Sequence, residues 1–174
     1  MLVSGPISTR PCQSQNRGIA PWLASGGFDL PTHCYYEVLP PDGSKVQIVY
    51  RFSWPDERHP LAAVHRLYRL WRRLYFASPE DIEFVWVEAD LASGLPTRIA
   101  YESPEGLYVV RHRYREHEAG FPVSGAHPVL RVASWNHIFE TAGVSEPASA
   151  TPLRPLDEGL YRELRMGRRS QPRL

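Results

Sequence analysis

Between Pro60 and Phe76 the apolar residues recur at three- and four-residue intervals. At about 100° of rotation per residue, Leu61, Val64, Leu67, Tyr68, Leu70, Trp71, Leu74 and Tyr75 fall on one broad arc, and His65, Arg66, Arg69, Arg72 and Arg73 on the other. This spacing predicts an amphipathic helix that buries its apolar arc and turns its guanidinium groups to solvent. Pro60 suits the first turn, where its missing N–H would have no helical partner, and Ser78-Pro79 ends the element because the residue before proline disfavours helical angles.

Elsewhere the period shortens to two. Cys34 to Leu39 and Val46 to Phe52 read as strands joined by Pro40-Pro41-Asp42-Gly43-Ser44, whose Asp-Gly supplies the positive dihedral a tight reversal needs. Val46, Ile48, Tyr50, Phe52 and Trp54 share one face, which is expected to meet the helix. Ile82 to Glu88 carries apolar residues on both sides, as a central strand would. Thr97 to Glu102 and Gly106 to Arg115 predict a second hairpin, and Val129 to Ala133 a last strand. Trp135 to Ala142 reads as a short helix with Ser134 as its cap and Gly143 after its end.

The expected architecture is therefore α+β: over residues 32–143, a mostly antiparallel sheet packed against one long amphipathic helix. Residues 1–31 are punctuated by Gly-Pro, Arg-Pro, Ala-Pro and Gly-Gly pairs and read as an extended N-terminal arm without regular elements. Residues 144–174 read as a linker, a small helix from Leu156 to Met166 and a basic tail.

Composition narrows the function classes. A 174-residue chain with 43% hydrophobic residues can bury a sizeable core, and a net charge of +1 argues against electrostatic capture of DNA or a membrane by the chain as a whole. No apolar run approaches the roughly 20 residues that span a bilayer, and Met1 to Arg10 lacks the pattern of a secretory leader, so the expectation is a cytoplasmic protein without a membrane partner. Cys12 and Cys34 have neither the spacing of a zinc site nor the density of a disulfide scaffold; a single bridge between them stays open.

Recognisable chemistry is sparse. Arg66, Arg69 and Arg73 on the helix could grip oxyanions through their planar forks. In Val109 to Glu118, Arg111, Arg113 and Arg115 alternate onto one strand face, with Tyr114 placed for stacking on a base. Each set also has a structural reading: the acids Glu80, Asp81, Glu83, Glu88 and Asp90 can neutralise the helix, and charge protects exposed sheet edges. His112, Glu116 and His117 miss metal-site spacing by one residue, and Ser124 near His127 lacks a nucleophile elbow. Glycine-rich phosphate loops are absent, and no cofactor is implied.

The leading expectation from sequence is a non-enzymatic interaction protein, an accessory or assembly subunit. It would engage a protein partner, or a second copy of itself, through Trp22, Leu23 and Phe28 of the apolar arm and through the C-terminal helix. The alternatives are a nucleic-acid or phosphate-binding module built on the arginine helix and strand, and a small enzyme with His65 or His112 as general base.

Overall fold

The computed structural model describes residues 19–24, 28–76, 81–105, 111–118, 120–143, 148–151 and 153–156. In chain order the elements are Trp22–Ala24 (β1), His33–Val38 (β2), Lys45–Trp54 (β3), the helix Ala62–Phe76 (α1), Asp81–Asp90 (β4), Pro96–Glu105 (β5), Arg111–Glu118 (β6), Val123–Ser124 (β7), His127–Val132 (β8), Phe139–Thr141 (β9), Ala148–Ala150 (β10) and Leu153–Pro155 (β11).

The Asp-Gly reversal forms as the sequence demands. Gly43 takes φ of 57°, a conformation that costs a residue without a side chain nothing, and β2 and β3 pair antiparallel from His33↔Ser53 to Val38↔Ile48. Beside them β4 pairs along the whole of β3, from Lys45↔Asp90 to Trp54↔Asp81. The result is a six-stranded sheet in the order β11-β2-β3-β4-β5-β6, with β11 joining β2 in parallel. A second sheet runs β10-β1-β8-β7, and β9 pairs with β8.

These two sheets enclose the core. Ile48, Tyr50, Phe52 and Trp54 of β3, Val85 and Val87 of β4, and Ile99 and Tyr101 of β5 form one cluster with Leu23, Leu130, Val132 and Phe139 of the second sheet. Phe52 meets Phe139 edge to face at 5.4 Å, an arrangement favoured by the ring quadrupoles. Trp54 donates its indole N–H to the Asp29 carbonyl at 2.8 Å, which satisfies the one polar atom of a ring otherwise 1% exposed.

Several expectations are corrected here. The α+β arrangement with a sheet packed on a long helix is not what forms: the inward face of β3 meets the second sheet, and the architecture is a β-sandwich with one helix among the described residues. A sheet face of that breadth buries more apolar area against another sheet than one helix can cover. Trp135 to Ala142 is not a helix. His137 N–H donates to the Ser134 carbonyl at 3.0 Å and Ala133 N–H to the Ile138 carbonyl at 2.8 Å, after which Phe139 pairs with Val132 and fills the core. The arm expected to lack regular elements contains β1, and the expected linker contains β10 and β11. The helix expected from Leu156 to Met166 lies outside the described residues apart from Leu156.

Candidate functional site, the two faces of the helix

The helix forms where its periodicity places it, but it is turned round. Among the described side chains of α1, Arg72 is buried and His65, Tyr68 and Arg69 are half-buried; Arg72, Tyr68 and His65 make the inward face, and Arg69 stands at its margin. Arg72 pairs with Glu57, itself 3% exposed, and both of its terminal nitrogens stand 3.2 Å from Asp81 Oδ1. Asp81 Oδ2 in turn accepts from His137 Nδ1 at 2.9 Å, and the His137 ring stacks on Trp54 at 4.4 Å with 7° between the planes. A carboxylate only accepts, so this contact puts the imidazole proton on Nδ1. His137 is held at φ of 59°, a left-handed conformation that costs a residue with a side chain on the order of 1 kcal/mol or more. The Asp81 bond, the indole stack and the turn to Ser134 together hold it there.

Tyr68 completes the inward face. Its ring lies against Trp135 edge to face at 5.4 Å and near His59 at 6.2 Å. Burial, reinforced by the negative charges of Asp81 and Glu83, pushes its phenol well above the ordinary tyrosine range.

The outward face carries the apolar residues. Leu67 is 71% exposed, Leu74 78%, Leu70 55% and Trp71 46%, with Val64 beside them and Leu61 just before the first turn. Full burial of such side chains is worth about 1.5–3 kcal/mol each, so a ridge of this kind is a cost to an isolated protein in water. Arg66, Arg69 and Arg73 run along one shoulder of the ridge and, with Leu70, line an open concavity of about 260 Å³. Arg69 Nε lies 3.5 Å from Asp56 Oδ1; Arg66 and Arg73 make no ion pair with the described residues.

The residues singled out from sequence thus separate. Arg66, Arg69 and Arg73 come together on α1. Arg111, Arg113 and Arg115 lie on β6, the last strand of the six-stranded sheet, opposite Glu105, Ser103 and Tyr101 of β5, with Tyr114 opposite Glu102. Leu23 is in the core, Trp22 stacks on His127 at 4.3 Å, and Phe28 is 51% exposed. His65 is half-buried on the inward side of α1. Cys34 is buried, which pushes its thiol far above the ordinary range, and Cys12 lies outside the described residues. No cluster of three or more metal-ligating side chains occurs among the described residues.

Sequence reasoning missed the buried cation. The periodicity puts Arg72 with the solvent-facing arginines, whereas its partners are Glu57, in the loop after β3, and Asp81, the first residue of β4. The available signal was that Arg72 falls between Leu61 and His65 on the helical wheel, apart from Arg66 and Arg73.

Comparison with known proteins bears on the fold. No protein-family profile and no curated protein sequence matches the chain. Among solved structures, the necrosis and ethylene inducing protein 2 from the causal agent of cocoa's witches' broom disease superposes with a TM-score of 0.57 over 90% of this chain and 79% of that one, at 13% identity. The protein NLPPya, solved with mannosamine, matches with a TM-score of 0.45 at 15% identity, and this chain spans 64% of its length. A structure described as a toxin fold for microbial attack and plant defense gives the same TM-score of 0.45, with 65% of its length covered.

The accessory or assembly subunit expected from sequence is corrected by the likeness of fold to the necrosis and ethylene inducing protein 2, and with it the RNA-binding and α+β descriptions. The chain has the fold of a necrosis and ethylene inducing protein, a β-sandwich, with a helix on it whose apolar face is turned outward.

Proposed function

We propose that this protein works at a membrane surface, seating α1 in the interfacial plane of an acidic bilayer on a target cell. The observation that carries the reading is the outward apolar ridge of α1. Such a ridge, flanked by cations, is the pattern of a helix that lies in the headgroup region with its apolar side toward the acyl chains. The helix has 15 residues, and no helix among those described is long and apolar enough to cross a membrane, so the contact would be peripheral. Arg66, Arg69 and Arg73 sit on the shoulder of the ridge, where long side chains reach back to headgroups, and each arginine near an acidic surface adds about 1 kcal/mol. The likeness of fold to a protein named for inducing necrosis favours the membrane of a target cell as the surface concerned.

Flotation with vesicles of phosphatidylcholine and phosphatidylglycerol tests the reading. The protein is expected to float with the acidic vesicles, and Leu67→Asp with Leu74→Asp is expected to weaken binding at least tenfold, about 1.4 kcal/mol, without unfolding the chain. Absence of vesicle binding, or a ridge variant that only converts a dimer to a monomer, would overturn it.

A further inference from the structure

The arginines of α1 do not ring the apolar ridge evenly. Arg66, Arg69 and Arg73 stand at i, i+3 and i+7, on one shoulder only, and close round the concavity whose fourth side is Leu70. Arg72, the remaining arginine of the helix, is committed inward to Glu57 and Asp81. Among the described residues one carboxylate, Asp56, reaches the outer three, and it meets Arg69 alone. The concavity therefore holds a local excess of two positive charges. Its volume of about 260 Å³ is far more than a single water requires, so a group with several oxygens fits.

We infer that this concavity is a binding site for a phosphomonoester headgroup, held by the forks of Arg66, Arg69 and Arg73 while Leu70 faces the start of the lipid's apolar part. A phosphomonoester carries about −1.5 to −2 charges at pH 7 and three strong acceptor oxygens, which matches the charge excess and the number of guanidinium forks. A phosphodiester carries one charge and offers fewer terminal oxygens to three forks. Leu70 belongs to both the concavity and the ridge, so a bound phosphate would sit at the depth set by the ridge in the headgroup layer. This inference rests on the membrane reading for the source of the phosphate, and its chemistry stands apart from it.

Binding should be titrated against vesicles of phosphatidylcholine mixed with phosphatidic acid or with phosphatidylglycerol, matched for surface charge, and against inorganic phosphate in solution. The wild-type protein is expected to prefer phosphatidic acid by about tenfold, the equivalent of about 1.4 kcal/mol. R66Q with R73Q should remove that preference while the variant still docks on phosphatidylglycerol. Both residues are exposed, and an unchanged melting temperature would confirm that the variant folds. Equal affinity of the wild type for the two acidic lipids would overturn the site and leave the ridge reading intact, as would a preference that survives R66Q with R73Q. Binding of inorganic phosphate that R66Q with R73Q abolishes, with no binding to any vesicle, would support the site and overturn the membrane reading.

Discussion

The sandwich and the helix place the same residue types in opposite directions. In β3, the residues of the alternating apolar face point inward, from Val46 at 8% to Tyr50 at 0% exposed, and meet Leu130, Val132 and Phe139 of the other sheet. In α1 the leucines point away from the body, and an arginine points into it. A strand already committed to a ladder has no choice of face once one side is covered, whereas a helix satisfies its own backbone and can turn either arc toward its neighbour. The periodicity of α1 establishes that two faces exist; the partners Glu57, Asp81 and His137 decide which of them is buried.

That contrast can be broken by substitution. Phe139→Ala should cost about 3–5 kcal/mol in urea denaturation, because it opens a cavity against Phe52 and Trp54. Leu74→Ala, an equally apolar change on the ridge, should stay within about 0.5 kcal/mol of wild type. A large cost at Leu74 would show that the ridge is covered.

Arg72→Ala should be nearly as damaging as Phe139→Ala, at about 3–5 kcal/mol, since it leaves Glu57 and Asp81 buried without their cation. Arg73→Ala, one residue on, should be close to neutral by the same measurement.

Tyr68 sharpens the comparison through pH. Its phenol is raised in the folded state, so its contribution is intact below the ordinary tyrosine value of about 10 and is lost as pH rises beyond it, because the unfolded chain ionises first. Tyr68→Phe should flatten the alkaline limb of a stability profile measured by chemical denaturation. The smallest effect is expected at the open end of β3. There Lys45 Nζ donates to Glu88 at 2.7 Å and, chiefly through that bond, holds the Glu88 carboxyl below the ordinary range. The contribution is present above about pH 4.3 and lost as pH falls through the lower folded value, and at an exposed site it should stay under about 1 kcal/mol. Lys45→Ala should remove that part of the acid limb.

The legible parts of the fold were those with local causes. Asp42-Gly43 fixed a reversal, and the alternation in β3 and the two-sided apolar run of β4 marked long strands at the centre of a sheet. The second sheet was hidden because its strands other than β8 are two or three residues long and pair across great separations, as in Trp22↔Ala150. Trp135 to Ala142 had the cap and terminal glycine of a helix, but Phe139 gains more by pairing with Val132 and filling the space against Phe52. At the candidate site, Arg66, Arg69 and Arg73 were legible as a set of cations on one helix. Their position on the shoulder of an exposed ridge was not, since it follows from the burial of Arg72, which depends on Glu57 in the loop after β3 and on Asp81 at the start of β4.

A spin label on Leu74→Cys, in a Cys12→Ser background, tests the orientation of α1 and its use together. In the protein alone the label should be mobile and open to a water-soluble relaxation agent, and acidic vesicles should shift it to protection from that agent and access to oxygen. A label immobile and protected before any vesicle is added, or one that stays in water when vesicles are present, would contradict the account.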